Sequence, residues 1–157
     1  MRRRFDAAII DLDGTLVDTL PDFEVAIARM LAELGLPPVG REFIEDTIGK
    51  GGEHLIRNTL AQAGGAPERY REAWSSYQTH YGAVNGEHST LYPGVIEGLD
   101  RLAAAGVALA CVTNKPFAFA HALLARKGLP PRFACVFGRD SQARKKPNAP
   151  INTNRPI

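Results

Sequence analysis

Two aspartates directly follow an apolar segment near the start of the chain. Residues 5–10 are rich in β-branched and small side chains, which favours a central parallel strand covered on both faces. Asp11 and Asp13 come next at a spacing of two, so both side chains can point to one side of the chain as it leaves the sheet. Parallel sheets place ligands at the carboxyl ends of their strands. One carboxylate could then attack phosphorus while the other transfers protons, although an Asp-Leu-Asp-Gly segment could also form a solvated turn.

The segment around these aspartates resembles a known signature. Residues 5–19 read Phe-Asp-Ala-Ala-Ile-Ile-Asp-Leu-Asp-Gly-Thr-Leu-Val-Asp-Thr, which is similar to the first signature of the haloacid dehalogenase superfamily. The resemblance implies that Asp11 is a nucleophile that becomes an aspartyl phosphate. It implies that Asp13 protonates the leaving oxygen and later activates water, which favours a phosphatase over a dehalogenase. It also implies a Mg²⁺ cofactor held by Asp11 and Asp13, which neutralises charge between the nucleophile and the phosphoryl oxygens.

Two later segments resemble further signatures of the same family. Thr113 follows an apolar strand, and the resemblance implies that its hydroxyl binds a phosphoryl oxygen, with Asn114 as its neighbour in substrate binding. Lys146, directly before Pro147, is implied to stabilise the nucleophile and the phosphoryl charge, with Lys145 as the alternative. Taken alone, a Thr-Asn pair after a strand is also an ordinary helix start. A short basic cluster is also typical of a solvated face.

The order of the predicted elements indicates an α/β fold with a Rossmann-like parallel sheet core, similar to the haloacid dehalogenases, and an inserted helical cap. We predict that residues 1–18 and 91–147 form the core, that 19–90 form the cap and that 148–157 form an irregular tail. Apolar periodicity and Gly or Pro punctuation predict helices at 21–34, 42–48, 53–63, 68–81, 95–105 and 117–127, and strands at 5–10, 107–112 and 134–137.

The helical insert resembles the small cap that closes over the active site in this family and excludes water. Its glycine-rich loop, residues 49–52, matches the place where related caps reach into the site, so Lys50 is a candidate partner for a substrate carboxylate. An exposed lysine in a flexible loop between helices explains the same pattern equally well. Trp74, Tyr77 and Tyr81 recur at helical spacing, which favours the core of the cap over a ligand platform.

The family's fourth signature, a Gly-Asp-x-x-x-Asp type loop that supplies Mg²⁺ ligands, has no match, because no Asp or Glu follows Pro147. The resemblance therefore predicts that the last strands of the core are missing and that Mg²⁺ binds weakly. A missing neighbour would leave residues 5–10 as an exposed sheet edge with apolar faces. We expect low stability, aggregation or self-association through that edge.

Composition excludes several other classes of protein. The net charge is +2 and the basic residues are mostly scattered, so no extended basic face for nucleic acid is predicted. Cys111 and Cys135 lie in short apolar runs, which indicates small buried hydrophobic residues in a reduced compartment. The first apolar run is too short for a signal segment or a membrane span, so we expect a soluble cytoplasmic protein.

Residues 87–95, Glu-His-Ser-Thr-Leu-Tyr-Pro-Gly-Val, are similar to phosphoglycolate phosphatases in particular. The resemblance implies a Mg²⁺-dependent phosphomonoester hydrolase whose substrate is a small phosphorylated organic acid or sugar phosphate, with 2-phosphoglycolate first. One alternative is a phosphomutase related to β-phosphoglucomutase, which would use the same pair of aspartates. The other is a truncated, catalytically inactive remnant that at most binds phosphate-like ligands.

Overall fold

The computed structural model describes residues 5–141, which divide into two compact units. One unit contains the residues up to Asp18 and those from Thr90 onward, and the other is the continuous segment Thr19–Ser89. In chain order the elements are β1 (Ala7–Ile10), β2 (Val17–Asp18), α1 (Leu20–Glu33), α2 (Arg41–Thr47), α3 (Gly52–Gln62), α4 (Tyr70–Val84), β3 (Thr90–Leu91), α5 (Val95–Ala104), β4 (Ala108–Val112), α6 (Phe117–Arg126) and β5 (Cys135–Phe137).

The first unit is built on a parallel sheet with the strand order β1-β4-β5. Ile10 lies opposite Cys111, and Val112 lies opposite Phe137, so the three strands end at the same edge of the sheet. The prediction of an α/β fold with a parallel sheet is therefore confirmed. Strands β2 and β3 were not predicted from the sequence, and they pair antiparallel with Val17 opposite Leu91. Two residues are too few to give a period, so tertiary contacts define these strands.

Strand β1 lies at the edge of the described sheet and is only partly covered. Ala8 and Ile10 pack against the main hydrophobic cluster, whereas Ile9 on the opposite face is 55% exposed. Because a strand turns alternate side chains to opposite faces, one face of β1 is buried and the other is not. The prediction of a strand covered on both faces is wrong for the described part of the chain.

The buried cluster of the first unit joins the inner face of the sheet to the helices. Leu109 and Cys111 of β4 pack with Leu123 and Leu124 of α6. Both cysteines are buried free thiols, and desolvation raises the pKa of the Cys135 thiol. These properties agree with the prediction of small buried hydrophobic residues.

The second unit is helical. Its helix α1 packs along α4, and between them the rings of Phe23 and Tyr81 stack with their centroids 4.9 Å apart. The stack continues from Tyr81 to Tyr77 at 5.4 Å and from Tyr77 to Trp74 at 6.0 Å. Tyr77 and Tyr81 are buried, which agrees with their prediction as core residues. Within residues 5–141, no helix combines the length and the apolar character needed to cross a membrane.

Candidate active site

The turn after β1 is organised by the backbone carbonyl of Leu12. This oxygen accepts N–H groups from Leu16 at 3.0 Å and Val17 at 3.2 Å, and the Leu12 side chain is fully buried. Gly14 has a φ of +73°, a left-handed conformation that glycine adopts without a steric penalty. The turn that carries Asp11 and Asp13 is therefore packed against the core, in contrast to the solvated turn that the sequence also allowed.

The two aspartates are held differently within this turn. The backbone N–H of Leu12 donates to Oδ1 of Asp11 at 2.8 Å, so the Asp11 carboxylate is anchored by the peptide that follows it. The backbone of Asp13 is fixed by an isolated β-bridge to Val17. Asp11 is half-buried, and the side chain of Asp13 is 11% exposed. They stand where β1 ends, at the edge of the sheet where open α/β folds place ligands.

Thr113 and Asn114 occupy the corresponding position after β4. The N–H of Thr113 donates to the carbonyl of Phe137 at 2.9 Å, which ties this loop to the end of β5. The hydroxyl oxygen of Thr113 accepts the N–H of Lys115 at 3.2 Å. A hydroxyl that accepts one hydrogen bond still has its own proton to donate. Thr113 is buried, and Asn114 is half-buried.

Lys115 is a site residue that was not predicted from the sequence. Its ammonium nitrogen lies 2.9 Å from Oδ1 of Asp13, and the two side chains are only 3% and 11% exposed. This ion pair joins the loop after β4 to the loop after β1. Lysines are rarely buried without a partner, and a sequence does not reveal the partner. The available signal was the place of Lys115, one residue after Asn114 at the end of a strand.

The loop after β5 closes against the loop that carries Lys115. The N–H of Arg139 donates to the carbonyl of Lys115 at 2.9 Å, and the N–H of Phe117 donates to Oδ1 of Asp140 at 2.7 Å. Gly138 lies so close that a Cβ there would stand 2.4 Å from the backbone nitrogen of Phe117 and 2.5 Å from its Cα. Only glycine permits this approach of two backbones.

We expect Gly138→Ala to destabilise the first unit by about 1–3 kcal/mol or more. The added methyl group would clash with backbone atoms of Phe117, which can move only if the whole loop shifts. Gly98→Ala is the matched control, because a Cβ at Gly98 in α5 meets nothing within 4 Å. The control should stabilise the helix by about 0.5–1 kcal/mol. Hydrogen exchange of the β4 amides measures both effects. Equal stability of the two variants would contradict the close packing of the loops.

The remaining predicted site residues are Lys50, Lys145 and Lys146. Lys50 belongs to the second unit, where it is exposed between Gly49 and Gly51. Both glycines have a positive φ, of 97° and 95°, so the loop conformation requires residues without a side chain. Lys145 and Lys146 lie outside the described residues.

Asp11 and Asp13 offer the oxygen ligands that Mg²⁺ prefers. Oδ1 of Asp13 already faces Lys115, so the donors that suit a cation are the Asp11 carboxylate and the Asp13 backbone carbonyl. Among residues 5–141, no group of three or more His, Cys, Asp or Glu side chains is arranged to hold a metal ion. The donor set therefore fits Mg²⁺ in kind and would supply part of its coordination shell.

Known proteins resemble this chain over most of its length. Residues 8–154 match the family model described as haloacid dehalogenase-like hydrolase. The chain is 43% identical over 143 residues to a plasmid-encoded phosphoglycolate phosphatase of Cupriavidus necator, a match that covers 90% of this chain and 62% of that protein. It is 39% identical over 145 residues to the phosphoglycolate phosphatase of Thiobacillus denitrificans, covering 90% of this chain and 64% of that protein. The chain thus spans just under two thirds of these relatives.

A solved structure has a similar fold. The crystal structure of a predicted phosphoglycolate phosphatase from Haemophilus somnus superposes with a TM-score of 0.85 and 31% sequence identity. The match covers 92% of this chain and 67% of that one.

Proposed function

Because this chain belongs to the haloacid dehalogenase-like hydrolases, we propose that it hydrolyses a phosphomonoester, with 2-phosphoglycolate as the first candidate substrate. The observation that carries the proposal is that Asp11 and Asp13 follow β1 and Thr113 follows β4, two neighbouring parallel strands that end at the same edge of the sheet. Two carboxylates and a hydroxyl donor at that edge suit phosphoryl transfer. The similarity to phosphoglycolate phosphatases supports the choice of substrate.

The proposed reaction has two steps. A carboxylate oxygen of Asp11 attacks phosphorus, the bond to the ester oxygen breaks, and Asp13 donates a proton to the leaving oxygen. Asp13 then removes a proton from water, which attacks the aspartyl phosphate and releases inorganic phosphate. Thr113 donates its hydroxyl proton to a phosphoryl oxygen while its own oxygen accepts the N–H of Lys115. Asn114 is proposed to assist Thr113, and Lys146 to neutralise the phosphoryl charge.

Bound Mg²⁺ would supply positive charge between the nucleophile and the phosphoryl oxygens. We propose that Asp11 holds it through its carboxylate and Asp13 through its backbone carbonyl. The N–H of Leu12 anchors Oδ1 of Asp11 and so fixes the orientation of this carboxylate.

The test is phosphate release from a panel of substrates with and without Mg²⁺. We expect release from 2-phosphoglycolate to exceed that from para-nitrophenyl phosphate, and to stop when EDTA removes the ion. Conversion of β-glucose 1-phosphate to glucose 6-phosphate without net release would favour the phosphomutase alternative. Absence of any release would overturn the proposal.

We also propose self-association through β1. It is an edge strand of the sheet that residues 5–141 form, its exposed face carries Ile9, and Phe5 just before the strand is 67% exposed, so apolar surface is available to another copy of the chain. Sedimentation should reveal species that grow with concentration, and Ile9→Lys should reduce them by placing a charge on the exposed face of β1. A monodisperse monomer at every concentration would contradict this expectation.

A further inference from the structure

We propose that Lys115 is a positioning residue that holds the Asp13 carboxylate for proton transfer. The clearest evidence is the 2.9 Å separation between the ammonium nitrogen and Oδ1 of Asp13. Both side chains are nearly inaccessible to solvent, so little water screens the two charges. The proposal rests on the proposed function for its catalytic part, whereas the pairing itself does not depend on turnover.

The ammonium group of Lys115 compensates for the burial of the Asp13 carboxylate. Oδ1 of Asp13 is buried and makes no directed hydrogen bond within the described part of the chain. A buried carboxylate oxygen without compensation is costly, and the adjacent positive charge of Lys115 supplies that compensation. With Oδ1 facing Lys115, the second oxygen, Oδ2, is the one that carries the proton when Asp13 acts as the acid and that takes it up again from water in the second step.

Two hydrogen bonds hold the backbone of Lys115. Its N–H donates to the hydroxyl of Thr113, and its carbonyl accepts the N–H of Arg139 at 2.9 Å. The next turn of chain is fixed by the bond from Phe117 to Asp140 and by the close approach of Gly138. The ends of β4 and β5 therefore define where the Lys115 side chain starts. A long flexible side chain gains precision when its backbone and its charged end are both fixed.

This role is separate from substrate binding. Lys115 contacts the general acid, and its burial leaves it little surface for a substrate. Its loss should therefore affect the step in which Asp13 transfers a proton and should leave substrate affinity nearly unchanged.

A double-mutant cycle tests the pairing without any turnover. Lys115→Met and Asp13→Asn should each lower the folding equilibrium constant of the first unit by about 100-fold, because each leaves one buried group without its partner. When one of the two substitutions is already present, the other should lower the folding equilibrium constant by a factor at least about tenfold smaller. Hydrogen exchange of the β4 amides measures all four proteins. Additive costs would overturn the proposal, whether or not the wild-type chain is active.

The leaving group tests the catalytic part. In Lys115→Met, kcat for 2-phosphoglycolate should fall by about 100-fold, while KM stays within about threefold. The first release of para-nitrophenol from para-nitrophenyl phosphate should fall by less than about tenfold, because that leaving group needs no proton. Lys127→Met is the matched control at the end of α6 and should change neither rate. An equal loss with both substrates would indicate a purely structural role and overturn the assignment.

An inactive wild-type chain would give a different pattern of results. It would overturn the proposed function, and the cycle alone would then decide whether Lys115 holds Asp13.

Discussion

Asp11→Asn should lower the rate of phosphate release by at least about 1,000-fold while leaving the fold intact. The amide has nearly the shape of the carboxylate, and its oxygen can still accept the N–H of Leu12 that anchors Asp11 in the structure. It cannot serve as a nucleophile toward phosphorus, so the covalent step is lost. Steady-state phosphate release from 2-phosphoglycolate, with circular dichroism to verify folding, measures this effect.

Asp6→Asn is the matched control for this prediction. It makes the same substitution just before β1, at the opposite end of the strand, where the side chain is exposed. We expect its activity to equal that of the wild type. If the two variants retained similar activity, Asp11 would not be the nucleophile.

Asp22→Ala should produce the largest loss of stability in the second unit, about 2–5 kcal/mol. The Asp22 side chain is 0% exposed, and its two oxygens accept the N–H groups of Gly86 and His88, each at 2.8 Å. Alanine would leave both donors without their carboxylate and would open a cavity beside them. It would also remove a negative charge from the first turn of α1, where the helix dipole favours it.

Urea unfolding followed by Trp74 fluorescence measures this loss, because the chain's single tryptophan lies in the same unit. Asp46→Ala in α2 is the control, since Asp46 is exposed and should change stability by less than about 0.5 kcal/mol. Asp22→Asn should fall between the two, because an amide offers one acceptor oxygen for two donors. A cost for Asp22→Ala as small as that for Asp46→Ala would contradict the importance of these two bonds.

Long periodic segments were predictable from the sequence because their own apolar residues define their buried face. Helix α1 follows this rule, since Phe23, Ala26, Ile27, Met30 and Leu31 recur at helical spacing and are all buried. Strands β2 and β3 could not be predicted, because each has two residues and exists only through pairing with the other. The exposure of β1 depends on which elements lie beside it, which its own composition does not encode.

The residues of the candidate site also fall into those that the sequence predicted and those that it did not. Asp11, Asp13 and Thr113 were identified by residue type and by position at the ends of apolar strands, and the structure brings their loops to one edge of the sheet. Lys115 and Asp22 were missed for a shared physical reason. Charged residues are usually exposed, and only the tertiary structure reveals the partners that allow these two to be buried.

Mass spectrometry of the acid-quenched reaction is the most direct test of the proposed aspartyl phosphate at Asp11. The purified chain would be mixed with 2-phosphoglycolate and Mg²⁺, quenched within the first turnover and digested. We expect a phosphoryl group on the peptide that contains Asp11, with no such group in Asp11→Asn. Phosphate release without any phosphorylated Asp11, or phosphorylation of another residue in its place, would contradict the mechanism.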